Sequence, residues 1–180
     1  MISKPHHLRG LRRPTGRMLL LAFVLAALLA GCTGSGDKAA AKGTLPADYT
    51  RMDGADLQAM VRETTESGKA VLLAFWTTWC PGCRQELPEL VQLRKEYPED
   101  KLAIAIVALD DEEKVIRAFF KEHGSPGFPV LHGTRDAATV YQINAIPNLV
   151  LVDAEGKRLF NQPGAFPAAM LRKVVDQAVR

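Results

Sequence analysis

The sequence predicts an α/β fold, a sandwich of helices around a buried sheet, and three observations carry that expectation. Two continuous apolar runs, residues 70–76 (AVLLAFW) and 102–109 (LAIAIVAL), suit strands covered on both faces, and they alternate with segments of helical periodicity. A hairpin and a helix follow them. A pair of cysteines two residues apart stands where the first apolar run gives way to a helical segment.

The elements follow in order. From Asp53, a capping residue, Leu57, Met60, Val61 and Thr64 recur at helical spacing, and the helix ends near Gly68. The strand over 70–76 leads into a helix over 81–97. The second strand, 102–109, precedes a charged amphipathic helix over 111–123 that carries Val115, Ile116, Phe119 and Phe120 on one side. A short strand over 128–132 and a short helix over 136–143 come next. Residues 148–153 and 157–161 flank the turn Ala154-Glu155-Gly156 and read as a hairpin. The last helix begins at Phe166 with Pro167 in its first turn, and places Leu171, Val174, Val175 and Ala178 on one face.

The 180 residues divide into three parts. Residues 1–17 hold Lys4, Arg9, Arg12, Arg13 and Arg17 with no acidic residue, and residues 18–30 are an unbroken apolar run of 13. A spanning helix needs about 20 apolar residues, so this pattern reads as a secretory signal. Leu29-Ala30-Gly31-Cys32 resembles a bacterial lipobox, which implies cleavage before Cys32 and lipid on its sulfur. The competing reading is a short membrane anchor in which Cys32 is incidental. Residues 1–31 are thus expected to be a lipoprotein signal peptide, 32–48 a lipidated Cys and a Gly/Ala/Ser/Lys-rich flexible tether, and 49–180 the folded domain.

This division reassigns the charge. The whole chain carries a formal +3, but without residues 1–31 it has 18 basic and 20 acidic residues, or −2. The basic character belongs to the signal, and no basic stripe remains to recruit nucleic acid. Three cysteines in 180 residues cannot build a disulfide framework. With Cys32 assigned to lipid, Cys80 and Cys83 remain.

Cys80-Pro81-Gly82-Cys83 sits at a strand-to-helix junction, where unpaired backbone N–H groups and the positive end of the helix dipole favour a thiolate. A thiolate at Cys80 can attack a partner disulfide, and Cys83 can resolve the mixed disulfide. Three other readings compete: a structural disulfide closing a very short loop, a zinc site completed by His123 and His132, and a c-type haem site, which requires His where Arg84 stands.

The stretch Phe75-Trp76-Thr77-Thr78-Trp79-Cys80-Pro81-Gly82-Cys83-Arg84 resembles the active-site segment of thioredoxin-fold proteins. Pro88 stands where that fold kinks its active-site helix, and Ile146-Pro147 before the strand Asn148-Leu149-Val150-Leu151-Val152-Asp153 looks like its cis-proline. The resemblance covers about residues 53–180. Ala74 takes the place of the buried Asp of ordinary thioredoxins, and Glu86 completes a Cys-x-x-Cys-x-x-Glu-x-Pro pattern similar to the TlpA/ResA branch of membrane-attached thiol–disulfide proteins. The helix and strand between Leu109 and Gly133 resemble that branch's central insertion. One departure stands out. The branch implies a role in cytochrome c maturation, but its domains open with a β-hairpin, whereas residues 53–67 read as a helix, so the substrate preference stays open.

The resemblance implies a thioredoxin-like three-layer sandwich with a central mixed sheet and a helix–strand insertion. It implies Cys80 as nucleophile, Cys83 as resolving thiol and Glu86 as proton relay; the rival reading of Glu86 is an exposed helix glutamate. Trp79, Pro81, Gly82, Ile146 and Pro147 would form the surface that receives substrate. No cofactor beyond the redox-active Cys80–Cys83 disulfide is implied, and no metal. The expected partners are protein disulfides, a membrane thiol–disulfide electron donor and, through lipid on Cys32, an extracytoplasmic membrane face, with the domain itself a monomer. Reduction is the expected direction; an oxidase or isomerase of secreted proteins and a redox-silent binding module are the alternatives. Trp76 is assigned to the core, Phe119 and Phe120 to core and edge packing, and His132 to a solvated strand end, with a proton carrier as its rival reading. Asp110-Asp111-Glu112-Glu113 is read as favouring the N-terminus of its own helix, with metal binding as the lesser reading.

Overall fold

The computed structural model describes residues 47–110 and 112–180. The expected signal peptide, Cys32 and all but the end of the tether lie outside the described residues, as does Asp111.

Within them the chain runs β1 (Arg51–Met52), α1 (Gly54–Glu66), β2 (Ala70–Trp76), α2 (Pro81–Glu96), β3 (Leu102–Ala108), α3 (Glu113–His123), β4 (Val130–Gly133), α4 (Arg135–Val140), β5 (Asn148–Val152), β6 (Arg158–Pro163) and α5 (Ala168–Ala178). One six-stranded sheet has the order β1-β4-β3-β2-β5-β6. The strands from β1 to β2 are mutually parallel, and β5 and β6 are added antiparallel. This is the expected three-layer sandwich around a mixed sheet, and α3 with β4 forms the expected insertion, placing β4 between β1 and β3.

The period of two along the central strands sorts the core into two layers. Leu72, Ala74 and Trp76 of β2 and Ile104, Ile106 and Ala108 of β3 face one cluster, which includes Leu90 and Leu93 of α2, Phe119 of α3 and Leu171 of α5. Val71, Leu73 and Phe75 face the other, with Leu57 and Val61 of α1 and Ala137 of α4. Every residue of β2 and β3 is buried, which is why both read as unbroken apolar runs.

The ends of the elements show what periodicity left out. Asp53 caps α1 as expected, its carboxylate accepting the Asp56 N–H at 2.9 Å. The two-residue β1 was not expected, since two residues carry no alternation; it pairs Arg51 with His132. α4 starts one residue earlier than expected, at Arg135, because Thr134 caps it, and it ends earlier, at Val140, with Gln142 at φ 60° out of helical geometry. β4 begins at Val130, later than expected, although the Pro129 carbonyl already accepts the Ile106 N–H. α3 begins at Glu113, after Glu112. Pro167 is the N-cap of α5 and not a first-turn residue. The β5–β6 hairpin turns through Gly156 at φ 81°, a conformation that favours glycine.

Candidate active site

β2 ends at Trp76 and α2 starts at Pro81, so residues 77–80 form a loop at the C-terminal end of the parallel strands. Cys80 is the N-cap of α2, with Pro81 in the first helical turn, where a missing N–H costs nothing. The Cys83 N–H donates to the Cys80 sulfur at 3.2 Å. The two cysteines form a disulfide across Cα atoms 5.3 Å apart. Cys80 keeps 5% of its surface exposed and Cys83 none, so of the two residues only Cys80 reaches the surface. A thiolate at Cys80 would sit on the first-turn N–H groups of α2, where negative charge is favoured.

Around this pair the other sequence-selected residues converge. Trp79 is 68% exposed and forms the rim, while Trp76 is fully buried against Phe119 and Phe120, as expected of core and edge. The Ile146–Pro147 bond is cis. Pro147 is buried and closes on Gly82: a Cβ at Gly82 would lie 3.2 Å from Pro147 Cδ. Pro88 lies inside α2.

Glu86 is buried, with 1% of its surface exposed, which removes the exposed-glutamate reading. Burial raises its carboxyl from the ordinary value of 4.5 to about 7, opposed by the Phe166 N–H that donates to Oε1 at 3.3 Å. Its Oε2 has no hydrogen-bond partner. The buried side-chain polar atoms without partners, among the described residues, are Trp76 Nε1, Thr77 Oγ1, Glu86 Oε2 and Asn148 Oδ1. They belong to the end of β2, the first residue of the cysteine loop, the first half of α2 and the residue after Pro147, so all lie in or beside that loop. Folded proteins leave few such atoms, so their gathering around the cysteines calls for a reason there.

The structure corrects two assignments. Asp110 does not serve the start of α3: it is buried, and its carboxylate accepts the Thr78 N–H at 3.0 and 3.2 Å and the Thr78 hydroxyl at 2.7 Å. His132 is not solvated; it is 4% exposed, with Nε2 2.9 Å from the Asp110 carbonyl oxygen. Arg84 completes the loop's anchorage by donating from Nε to the Thr78 carbonyl at 2.8 Å, with its guanidinium over the Phe119 ring. Asp110 and Thr78 were missed as site residues. The available signal was an acidic residue placed directly after a fully apolar strand.

Fold and site together define a class: a thioredoxin-like domain with a Cys-x-x-Cys pair at the N-terminus of a helix and a cis-proline against it. A family model described as the AhpC/TSA family matches residues 38–157. The chain belongs to that family. It is similar to the thioredoxin-like protein YneN of Bacillus subtilis, with 39% identity over 92 residues that cover 49% of this chain and 53% of that one. Similarity to the thiol-disulfide oxidoreductase ResA of Oceanobacillus iheyensis is 34% over 101 residues, covering 56% of this chain and 52% of that one. The chain thus spans about half the length of these curated relatives. Among solved structures, a thiol:disulfide interchange protein of the thioredoxin family from Chlorobium tepidum superposes with a TM-score of 0.58 at 25% identity, covering 64% of this chain and 83% of that one.

Proposed function

We propose that this chain is a thiol–disulfide oxidoreductase that reduces protein disulfides outside the cytoplasm while tethered to a membrane by lipid on Cys32. The observation that carries the reading is the burial difference between two bonded cysteines at the start of α2, with Cys80 reachable and Cys83 not. The similarity to proteins named thiol-disulfide oxidoreductases supports it. The lipobox-like Leu29-Ala30-Gly31-Cys32 supports the anchor and the compartment.

The reduced pair would act in two displacements. The Cys80 thiolate attacks one sulfur of the substrate disulfide; the substrate S–S bond breaks, a mixed disulfide forms, and the departing thiolate takes a proton. Cys83 then passes its proton to the Glu86 carboxylate and attacks the Cys80 sulfur. The mixed disulfide breaks, the substrate's second sulfur departs as a thiolate and takes the proton held by Glu86, and Cys80–Cys83 is left oxidised, the state seen here. A carboxyl near pKa 7 is suited to take a proton at neutral pH and return it. Trp79, Pro81 and Gly82 would meet the substrate on one side of the cysteines and Ile146 and Pro147 on the other. The pair itself carries the electrons, so no cofactor is invoked. A membrane thiol–disulfide donor would restore the dithiol with two electrons and two protons. The domain would act as a monomer and without nucleic acid.

The test is capture. In cells expressing the full chain, Cys83→Ala should accumulate protein partners in disulfide linkage to Cys80, and the wild type should reduce insulin disulfides. Absence of both would overturn the reading. Lipid labelling that survives Cys32→Ala would remove the anchor.

A further inference from the structure

Asp110 has no part in the exchange steps above, yet it is the most heavily engaged acidic side chain near the cysteines. It stands just beyond β3, the strand next to β2, and is 6% exposed. Both carboxylate oxygens meet only donors, the N–H and the hydroxyl of Thr78. Acceptance on every side is the behaviour of an ionised carboxylate. With Arg84 on its carbonyl, Thr78 has each of its polar groups held, and the loop leading to Cys80 is fixed from both the sheet and α2.

We propose that Asp110 is a positioning residue that sets the redox poise of the Cys80–Cys83 pair, keeping a buried negative charge against the active-site loop and biasing the pair toward disulfide, so that its dithiol is a stronger reductant. The inference rests on the thiol–disulfide reading above and supplies a physical reason for its direction. Thr78 precedes Cys80 by two residues, and two Cα steps of about 3.8 Å, with the hydrogen bond at one end and the Cys80 side chain at the other, keep the Asp110 charge within roughly 15 Å of that sulfur. A charge at such a range in a poorly solvated site moves an equilibrium by about tenfold. It opposes the thiolate that the N-terminus of α2 favours, and so destabilises the reduced state.

The other charged groups nearby are held by contacts that do not involve the Asp110 carboxylate, or lie in solvent. Arg84 contacts Thr78 from α2, and Glu86 lies buried further along that helix. His132 meets the Asp110 carbonyl from β4, and Arg51 and Arg135 line a cavity of about 290 Å³ shared with Asp110. Both of those arginines are exposed, so solvent and salt screen them more than the buried carboxylate. A difference between wild type and an Asp110 variant therefore reports on the carboxylate.

The experiment equilibrates the full chain with glutathione buffers, in which the protein disulfide and two glutathione thiols exchange with the protein dithiol and glutathione disulfide. Asp110→Asn should move this equilibrium about tenfold toward dithiol, a rise of about 30 mV for a two-electron couple. The pH profile of Cys80 alkylation should move to lower pH. Asp110→Ser, neutral and smaller, should do the same and serves if Asn does not fold. Thr78→Val removes the hydroxyl bond but keeps the charge, and should change the equilibrium less than twofold. Neutral variants that fold and stay within twofold of wild type would overturn the proposal. So would Thr78→Val moving the equilibrium toward dithiol as far as they do. A wild-type pair that fails to exchange with glutathione would instead overturn the thiol–disulfide reading itself.

Discussion

Glu86 follows Cys83 by one turn of α2, and both side chains are buried, at 1% and 0% exposure. That spacing sets their Cβ atoms about 5–6 Å apart, and in the proposed exchange the carboxyl is the group that takes the sulfur's proton. Burial also makes that carboxyl a term in stability. Its folded value of about 7 lies above the ordinary 4.5, so the unfolded chain releases the proton first as pH rises. The stability linked to Glu86 is fully present below about pH 4.5 and is lost as pH rises through about 7. Denaturant unfolding of wild type and Glu86→Gln across pH 5–8 checks this. The wild type should lose on the order of 2–3 kcal/mol relative to the variant over that window. A constant difference between the two would remove Glu86 as a buried titrating group.

Trp79 makes a separable prediction. With 68% of its surface in solvent, it contributes little to folding, and Trp79→Ala should change unfolding stability by less than about 0.5 kcal/mol. If the indole is the rim on which a substrate chain settles, the same variant should raise KM for a protein disulfide several-fold. A small-molecule disulfide, which needs no such rim, should react at close to the wild-type rate. Parallel steady-state assays with insulin and a dipyridyl disulfide separate the two.

The layering and the cysteine motif were legible because they follow from short-range rules. β2 and β3 are covered on both faces and therefore read as apolar runs, and Asp53 announces the start of α1 by its own side chain. Glu86 was legible by spacing, since one helical turn from Cys83 fixes its face. What escaped depends on partners distant in sequence. Asp110 meets Thr78 across 32 residues, and Glu86 meets the Phe166 N–H across 80. His132 is buried because β1, a strand too short to show a pattern, pairs beside it. An acidic run read locally suggests a helix start; only the sheet order shows that its first member faces the loop of the neighbouring strand.

The helix that carries the cysteines depends on its packed half. Leu90 and Leu93 are fully buried in the cluster that joins α2 to α3 and α5, and Leu90 lies two turns beyond Cys83. Leu90→Ala should cost about 2–5 kcal/mol of unfolding stability through lost contacts and the cavity left behind. Denaturant midpoints measure it. A cost below about 1 kcal/mol would mean that the surrounding side chains close the space.

Gly82 sets two effects against each other. In the first turn of α2, alanine is the better helix former by about 1 kcal/mol. Its Cβ, however, would stand 3.2 Å from Cδ and 3.7 Å from Cγ of Pro147, and a proline ring has no alternative rotamer to retreat into. The contact is relieved by moving Pro147 away from the cysteines by a few tenths of an ångström. Gly82→Ala should therefore leave stability within about 1 kcal/mol of wild type, because propensity offsets the crowding. Exchange with a protein disulfide should slow about tenfold, because the spacing between Pro147 and Cys80 is where the proposed mechanism seats the substrate backbone. Insulin reduction and denaturant midpoints measured on one preparation decide it: a slow, stable variant supports the Gly82–Pro147 contact as a substrate groove, and a variant as fast as wild type overturns it.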